Sequence, residues 1–361
     1  VIGKTGMGKT TLLLNMILND IRNGEGVGFI DPHGDASETL LKYALKERKK
    51  DLIYFNPADR EHPIALNVLE KVEPERKHLV ASHLISSFKR LWSEFWGPRL
   101  EYVLRNSILT LLEHPDVHTL GEVSHLLTSD RFRRYILVGM GNKKLKDFWN
   151  YEFPQYFLKG WSAESIAGIL NKIGVLNVNP ILNGIINQPH NEIDFQKVMD
   201  GRKIFIANLS KGKIGEDVSM LLGSLILSSF HLATLSRQEI PEDKRNLFFL
   251  FVDEFQNFVP ENFTSILSEV RKYGLCLTLA HQYLGQLDEK LREAIFGNVG
   301  TIICFKGGIE DAEILEKEFC PEFKKEDLLN LDKYRIYLKM AINGKTSKPF
   351  SAKTLQPFLN F

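Results

Sequence analysis

Gly3-Lys4-Thr5-Gly6-Met7-Gly8-Lys9-Thr10 constrains this chain more than any other stretch, because G-x-x-x-x-G-K-[ST] works only as a loop between a strand and a helix. Its glycines let successive backbone N–H groups turn inward around a polyphosphate, at the positive end of the helix that follows. On that geometry Lys9 reaches the β- and γ-phosphates, and the Thr10 hydroxyl holds Mg²⁺. Gly3, Lys4, Thr5, Gly6, Met7, Gly8, Lys9, Thr10 and Thr11 are therefore the expected nucleotide-binding residues. The chain opens at Val1-Ile2 without an initiator methionine, directly before a loop that needs a strand in front of it. We expect a fragment, with any upstream membrane anchor out of view.

The first 70 residues alternate apolar runs with helical stretches: Val27 to Ile30 ends at Asp31-Pro32-His33-Gly34-Asp35, and Leu52 to Phe55 ends at Asn56-Pro57. This βαβ rhythm predicts an α/β fold with a mostly parallel sheet. Near Pro74 the pattern changes. Val80, Leu84, Phe88, Leu91 and Phe95 lie on one helix face, and Leu100, Leu104, Ile108 and Leu111 begin another after Gly97-Pro98. Thr119 with Glu122 forms a capping box, and Ser162 is a candidate cap for a helix carrying Ile166, Ile169, Leu170 and Ile173. All four tryptophans (Trp92, Trp96, Trp149, Trp161) fall here. Residues 75–200 are thus expected to be an all-α insertion between two parts of one core, 1–74 and 201–361. Strands return at Lys203 to Asn208, Leu247 to Val252, Leu275 to Ala280 and Thr301 to Phe305, with a last hairpin from Arg335 to Ile342 turning at Asn343-Gly344. The apolar stretch from Leu221 to Leu235 is interrupted by three serines and a histidine, and reads as a buried helix.

Composition excludes more than it identifies. Apolar residues at 43% and charged residues at 25% rule out a disordered chain or a small disulfide scaffold. Lys plus Arg total 46 against 45 Asp plus Glu, so any nucleic-acid surface has to come from local patches. Cys276, Cys304 and Cys320 lack C-x-x-C spacing, which fits reduced thiols in the cytosol rather than a zinc site.

Leu247 to Val252 is continuously apolar, as a central strand covered on both faces must be, and it delivers Asp253-Glu254 at its carboxyl end. Two adjacent carboxylates there are costly without a cation. Asp253 suits the outer sphere of Mg²⁺, and Glu254 can polarise a water for attack on the γ-phosphate. The next strand ends at His281-Gln282, where Gln282 either contacts the γ-phosphate or that water, or is an ordinary turn glutamine. Arg271, just before that strand, is either a solvated helix-end residue or a group that inserts into a neighbouring subunit's site. Asp31, His33 and Asp35 either line the nucleotide site or form an ordinary turn. Lys211-Gly212-Lys213 is a loop for phosphate contact or simply solvated, and the cluster Lys46 to Lys50 reads as a solvated helix end. Arg131, Arg133 and Arg134 beside Phe132 and Tyr135 fit single-strand binding or a helix with one core face.

With these residues in place the chain resembles the coupling ATPases of conjugation and type IV secretion (TraD/TraG-like), in the FtsK–HerA superfamily of motors. The resemblance rests on the phosphate loop, Phe29-Ile-Asp-Pro-His-Gly-Asp35, Phe55-Asn-Pro57 with His62-Pro63, and Trp96-Gly-Pro-Arg-Leu-Glu-Tyr102. It rests equally on Asn208-Leu-Ser-Lys-Gly-Lys213 with Gly215-Glu-Asp217, Val252-Asp-Glu254, and Arg271-Lys-Tyr-Gly274 running into Ala280-His-Gln282. It implies a RecA-like P-loop core with an all-α insertion, hydrolysis of ATP with Mg²⁺ between subunits of a hexameric ring, and movement of single- or double-stranded DNA through a pore. Relaxosome or secretion-channel proteins are the implied partners. Membrane contact through a region ahead of the loop implies a place at the inner face of the bacterial plasma membrane. Two rivals carry different tests: a HerA-like motor acting on double-stranded DNA ends, and a nucleotide-gated assembly scaffold that moves no DNA.

Overall fold

The computed structural model describes residues 1–70, 72–158, 163–260, 263–342 and 344–356. The apolar runs become strands β1 (Gly26–Asp31), β2 (Leu52–Phe55), β3 (Ile204–Asn208), β4 (Phe248–Val252) and β5 (Leu275–Leu279). All pair in parallel, in the order β2-β3-β1-β4-β5. Ile30 lies in register with Ala207 on one side and Val252 on the other. Parallel neighbours require long crossovers, and the helices between the strands provide them.

Side chains alternate across each strand, so each face of the sheet has its own core. Helices α1 (Lys9–Arg22) and α2 (Asp35–Glu47) bring Leu13, Ile17, Ile21 and Leu40 onto a face made of Val27, Phe29, Ile204 and Ile206. The opposite face presents Ile30, Phe205, Ala207, Phe248 and Leu250. There Phe230 of the Glu216–Ser236 helix packs on Phe205 and Phe248, with ring centroids 5.4 and 5.3 Å away. This helix is long and apolar enough for a membrane span by length and composition, yet most of it is buried. It is the buried helix expected around Leu221 to Leu235. Helix α3 (Lys77–Leu91) lies on it, and Ser224 Oγ donates to Ser87 Oγ at 2.8 Å.

Among the described residues between β2 and β3 there are helices and turns but no strand. Helix α3 stops at Leu91, short of the expected Phe95, and the chain tightens into a 3₁₀ turn over Ser93–Phe95. Pro98 then starts helix α4 (Pro98–Glu113) from its first turn, where a missing N–H costs nothing. The Thr119–Glu122 capping box forms, with Thr119 N donating to Glu122 Oε2 at 2.8 Å. Ser162 and Trp161 lie outside the described residues; Trp149 is fully buried, and Trp92 and Trp96 are half-buried. The run Phe148–Leu158 is π-helical, which no local pattern announces, and it accommodates Pro154.

A second, antiparallel sheet follows: β6 (Thr301–Cys304), β7 (Arg335–Ile342), β8 (Lys345–Thr346) and β9 (Phe350–Lys353). The expected hairpin turns through Gly344, while Asn343 is outside the described residues; β9 is an additional partner of β7. Val1 and Ile2 join the two sheets. Val1 N donates to Leu279 O at 2.8 Å, and Ile2 N donates to Ile303 O at 2.9 Å. The phosphate loop therefore leaves the sheet beside β5, with β5 standing between it and β4.

Candidate active site

Parallel pairing puts the carboxyl ends of β1, β3, β4 and β5 on one edge, and the loop from Gly3 to Thr10 opens there. Gly8 precedes α1 with φ 114°, a region that side chains rarely adopt, and an added Cβ would lie 2.7 Å from Tyr334 Cδ1. Tyr334 N in turn donates to Met7 O at 3.0 Å. This contact from the far end of the chain was not legible in the sequence, because only the second sheet brings residue 334 to the loop. Lys9 is buried, and its Nζ donates to the carbonyls of Gly3 at 2.6 Å and Lys4 at 3.4 Å. Burial lowers its pKa, while the carboxylates of Glu254 and Asp253 pull the other way.

The acidic pair meets the loop at this edge. Thr10 Oγ1 donates to Asp253 Oδ2 at 3.1 Å, although the two are 243 residues apart. Asp253 is buried, and desolvation, then the charges of Glu254 and Asp31, raise its pKa to about 6. A carboxyl held in this way beside two others gains from a bound divalent cation, which favours the charged form and relieves the repulsion. Thr10 hydroxyl, Asp253 carboxylate and Lys9 ammonium form a donor set that fits a magnesium-bound polyphosphate.

Glu254 is placed by its backbone as much as by its side chain. Its φ of 46° and ψ of 48° are left-handed, a conformation that costs a non-glycine residue about 1–3 kcal/mol. Surrounding hydrogen bonds hold it there. Gln282 Nε2 donates to Oε1 at 2.9 Å and Gln256 Nε2 donates to Oε2 at 2.7 Å. The main-chain oxygen accepts from Asn257 N at 3.0 Å and Asn257 Nδ2 at 2.9 Å. Both carboxylate oxygens are thus oriented by amides and keep lone pairs for a water proton. Gln256 and Asn257 were missed in the sequence, although Glu-Phe-Gln-Asn places two amide side chains within one turn of the carboxylate. His281 is buried against the Phe255 ring, with centroids 5.3 Å apart and, among the described residues, no hydrogen-bond partner for either ring nitrogen. Burial, with the charge of Lys9 adding to it, lowers its pKa to about 3 and keeps it neutral.

The remaining candidates divide. Asp31 is buried at the same edge, and its carboxylate accepts from His33 N at 2.8 Å and Ser37 N at 2.9 Å. It thereby holds the turn into α2, while His33 and Asp35 stay exposed. Arg271 is exposed before the first residue of β5, at the opposite edge from the loop, so the fold does not bring it to this chain's own site. Lys211 is partnered by Glu216 and Asn257, and Lys213 pairs with Glu38 at 2.8 Å. Arg133 is buried, with its guanidinium 5.1 Å from the Phe153 ring and hydrogen-bonded to Leu126 O, while Arg131 and Arg134 are exposed.

Residues 248–317, from β4 past β6, match a family described as the TraM recognition site of TraD and TraG. No curated protein sequence matches the chain. The fold is shared with the plasmid conjugative coupling protein TrwB. In a sulphate complex of TrwB the TM-score is 0.67 at 17% identity, over 98% of this chain and 84% of that one. In a TrwB complex with a non-hydrolysable ATP analogue it is 0.66 at 15% identity, over 98% and 83%. VirB4 of Thermoanaerobacter pseudethanolicus gives 0.65 at 15% identity, over 99% and 89%. Segment and fold agree: the chain has the P-loop ATPase fold of TrwB and VirB4, and its residues 248–317 are similar to the TraD/TraG family, in line with the resemblance to the coupling ATPases of type IV secretion.

Proposed function

We propose that this chain is the motor ATPase portion of a coupling protein that drives DNA, alone or with bound protein, toward a type IV secretion channel. The observation that carries the reading is the meeting of Thr10, Asp253 and an oriented Glu254 at the mouth of the phosphate loop. The TraG/TraD segment supports the coupling branch, and TrwB complexes with an ATP analogue and with ADP and Mg²⁺ support the nucleotide.

In this reading the backbone of Gly3 to Gly8 binds the polyphosphate, and Lys9 turns from the loop carbonyls to its terminal phosphates. Thr10 and Asp253 hold magnesium, which when bound neutralises charge on the phosphates. Glu254, aimed by Gln256 and Gln282, accepts a proton from the attacking water. Gln282 also reports the terminal phosphate to β5. Arg271 acts in the site of the neighbouring subunit of a ring, since its own site lies at the other sheet edge. Backbone-phosphate contacts repeated around the ring give a near-neutral chain its grip on DNA of any sequence, which makes binding salt-dependent. Relaxosome proteins are the partners of the TraG/TraD segment.

ATP turnover of the chain, with and without single- and double-stranded DNA and over a range of protein concentrations, tests this. Turnover should rise cooperatively with protein and increase with DNA. Lys9→Ala should abolish it, and Glu254→Gln should lower kcat at least about 100-fold. Turnover indifferent to DNA in an assembled preparation would favour the scaffold instead.

A further inference from the structure

Glu254 is tied, through one side chain, to a loop that the hydrolytic reading leaves without a role. Lys211 opens the short helix Lys211–Ile214 that follows β3. Its main chain is fixed to the Asp31 turn: Leu209 N donates to Asp31 O at 2.8 Å and Lys211 N to Pro32 O at 3.0 Å. Its Nζ donates to Glu216 Oε1 at 2.9 Å and to Asn257 Oδ1 at 3.0 Å. Asn257 Nδ2 then donates to the main-chain oxygen of Glu254 at 2.9 Å.

The direction of each bond follows from chemistry. An ammonium can only donate and a carbonyl can only accept, so the Asn257 amide has one orientation that satisfies both neighbours. Turning it over would set Oδ1 against the Glu254 carbonyl and NH₂ against the Lys211 ammonium. The lysine charge thus fixes the amide, and the amide supports the left-handed turn that aims the carboxylate. We propose that Asn257 and Lys211 are positioning residues for Glu254, with Lys211 acting through Asn257. The loop after β3 is thereby coupled to the rate of hydrolysis. This rests on the hydrolytic reading of Glu254.

The test is a double-mutant cycle in the whole chain with two readouts. In ATP turnover, Asn257→Ala should lower kcat about 10- to 100-fold with KM for ATP unchanged, as expected of a misplaced catalytic group. Lys211→Met should lower kcat in the same direction, and Lys211→Arg, which keeps the donor, should recover most of it. The double variant Lys211→Met with Asn257→Ala should be no slower than Asn257→Ala alone. Losses that multiply, or Lys211→Arg as slow as Lys211→Met, would overturn the relay. The second readout is amide hydrogen exchange over residues 254–258 without nucleotide, which should quicken in Asn257→Ala and in Lys211→Met. If the unaltered chain hydrolyses no ATP, the hydrolytic reading fails, and unchanged exchange in these variants separately overturns the relay.

Discussion

Three buried carboxyl groups, Asp31, Asp253 and Glu254, share one edge of the sheet, and the chain meets the cost of gathering them in different ways. Asp31 is satisfied by two backbone N–H groups and Glu254 by two side-chain amides. Among the described residues Asp253 has the Thr10 hydroxyl and its neighbour's N–H as donors, and its pKa is raised from 3.8 to about 6. The folded chain therefore holds this proton at a pH where the unfolded chain has released it. Between those two values, stability falls as pH rises. Above both, the full penalty is present. Asp253→Asn removes the ionisation, so without nucleotide and in EDTA it should be more stable than the unaltered chain at neutral pH, by about 1–3 kcal/mol. The gain should disappear near about pH 2, where both states are protonated. Urea unfolding at the two pH values measures it, and an equal gain at both would show that charge is not its origin.

At the scale of elements, the helix Glu216–Ser236 is the part that fixes the acidic turn from behind. Phe258, fully buried just after Asn257, packs on Gly223 so closely that an added Cβ would lie 2.2 Å from its Cδ1. A ring cannot yield that distance without moving the 3₁₀ turn Phe255–Asn257 on which Gln256 and Asn257 sit. Gly223→Ala improves helix propensity, yet overpacking outweighs it. Urea denaturation should show a net loss of about 1–3 kcal/mol. A variant as stable as the original would mean that Phe258 has room to shift, and that the turn is not braced in this way.

Across the whole molecule, the helices of residues 75–200 and the α/β core are not independently packed. One apolar cluster runs from Phe55 through Leu84 and Phe88 to Leu225, Phe230 and Phe248. Polar groups are shared too, for His83 and His231 lie 3.0 Å apart between ring nitrogens, and Ser87 pairs with Ser224. Excising residues 75–200 would strip the Glu216–Ser236 helix of its cover and leave these partners exposed. The deletion should therefore lose cooperative unfolding and bind an apolar dye, rather than yield a bare ATPase. A deletion that melts sharply would show two separable cores.

How much of this was legible beforehand depended on the range of the interaction that specifies it. Local pattern was enough for the phosphate loop, the strands, the buried helix and the acidic pair, because glycine spacing, uninterrupted apolar runs and strand-end carboxylates are set by neighbouring residues. It was also enough for Gln282, whose place at the end of β5 follows once the strand is parallel to β4. Local pattern stopped short at α3, read as far as Phe95, where helix periodicity continues in the sequence but the chain turns at Leu91. Tertiary structure alone decided what lies against what. Strand order sets β5 between the phosphate loop and the acidic pair, places Arg271 at the far edge, and brings Tyr334 to Gly8. It likewise joins Lys211 to Asn257, residues 46 positions apart, and so gives Glu254 its orientation. Such contacts depend on the packing of distant elements, and a single sequence records the residue types available for them but not their distances.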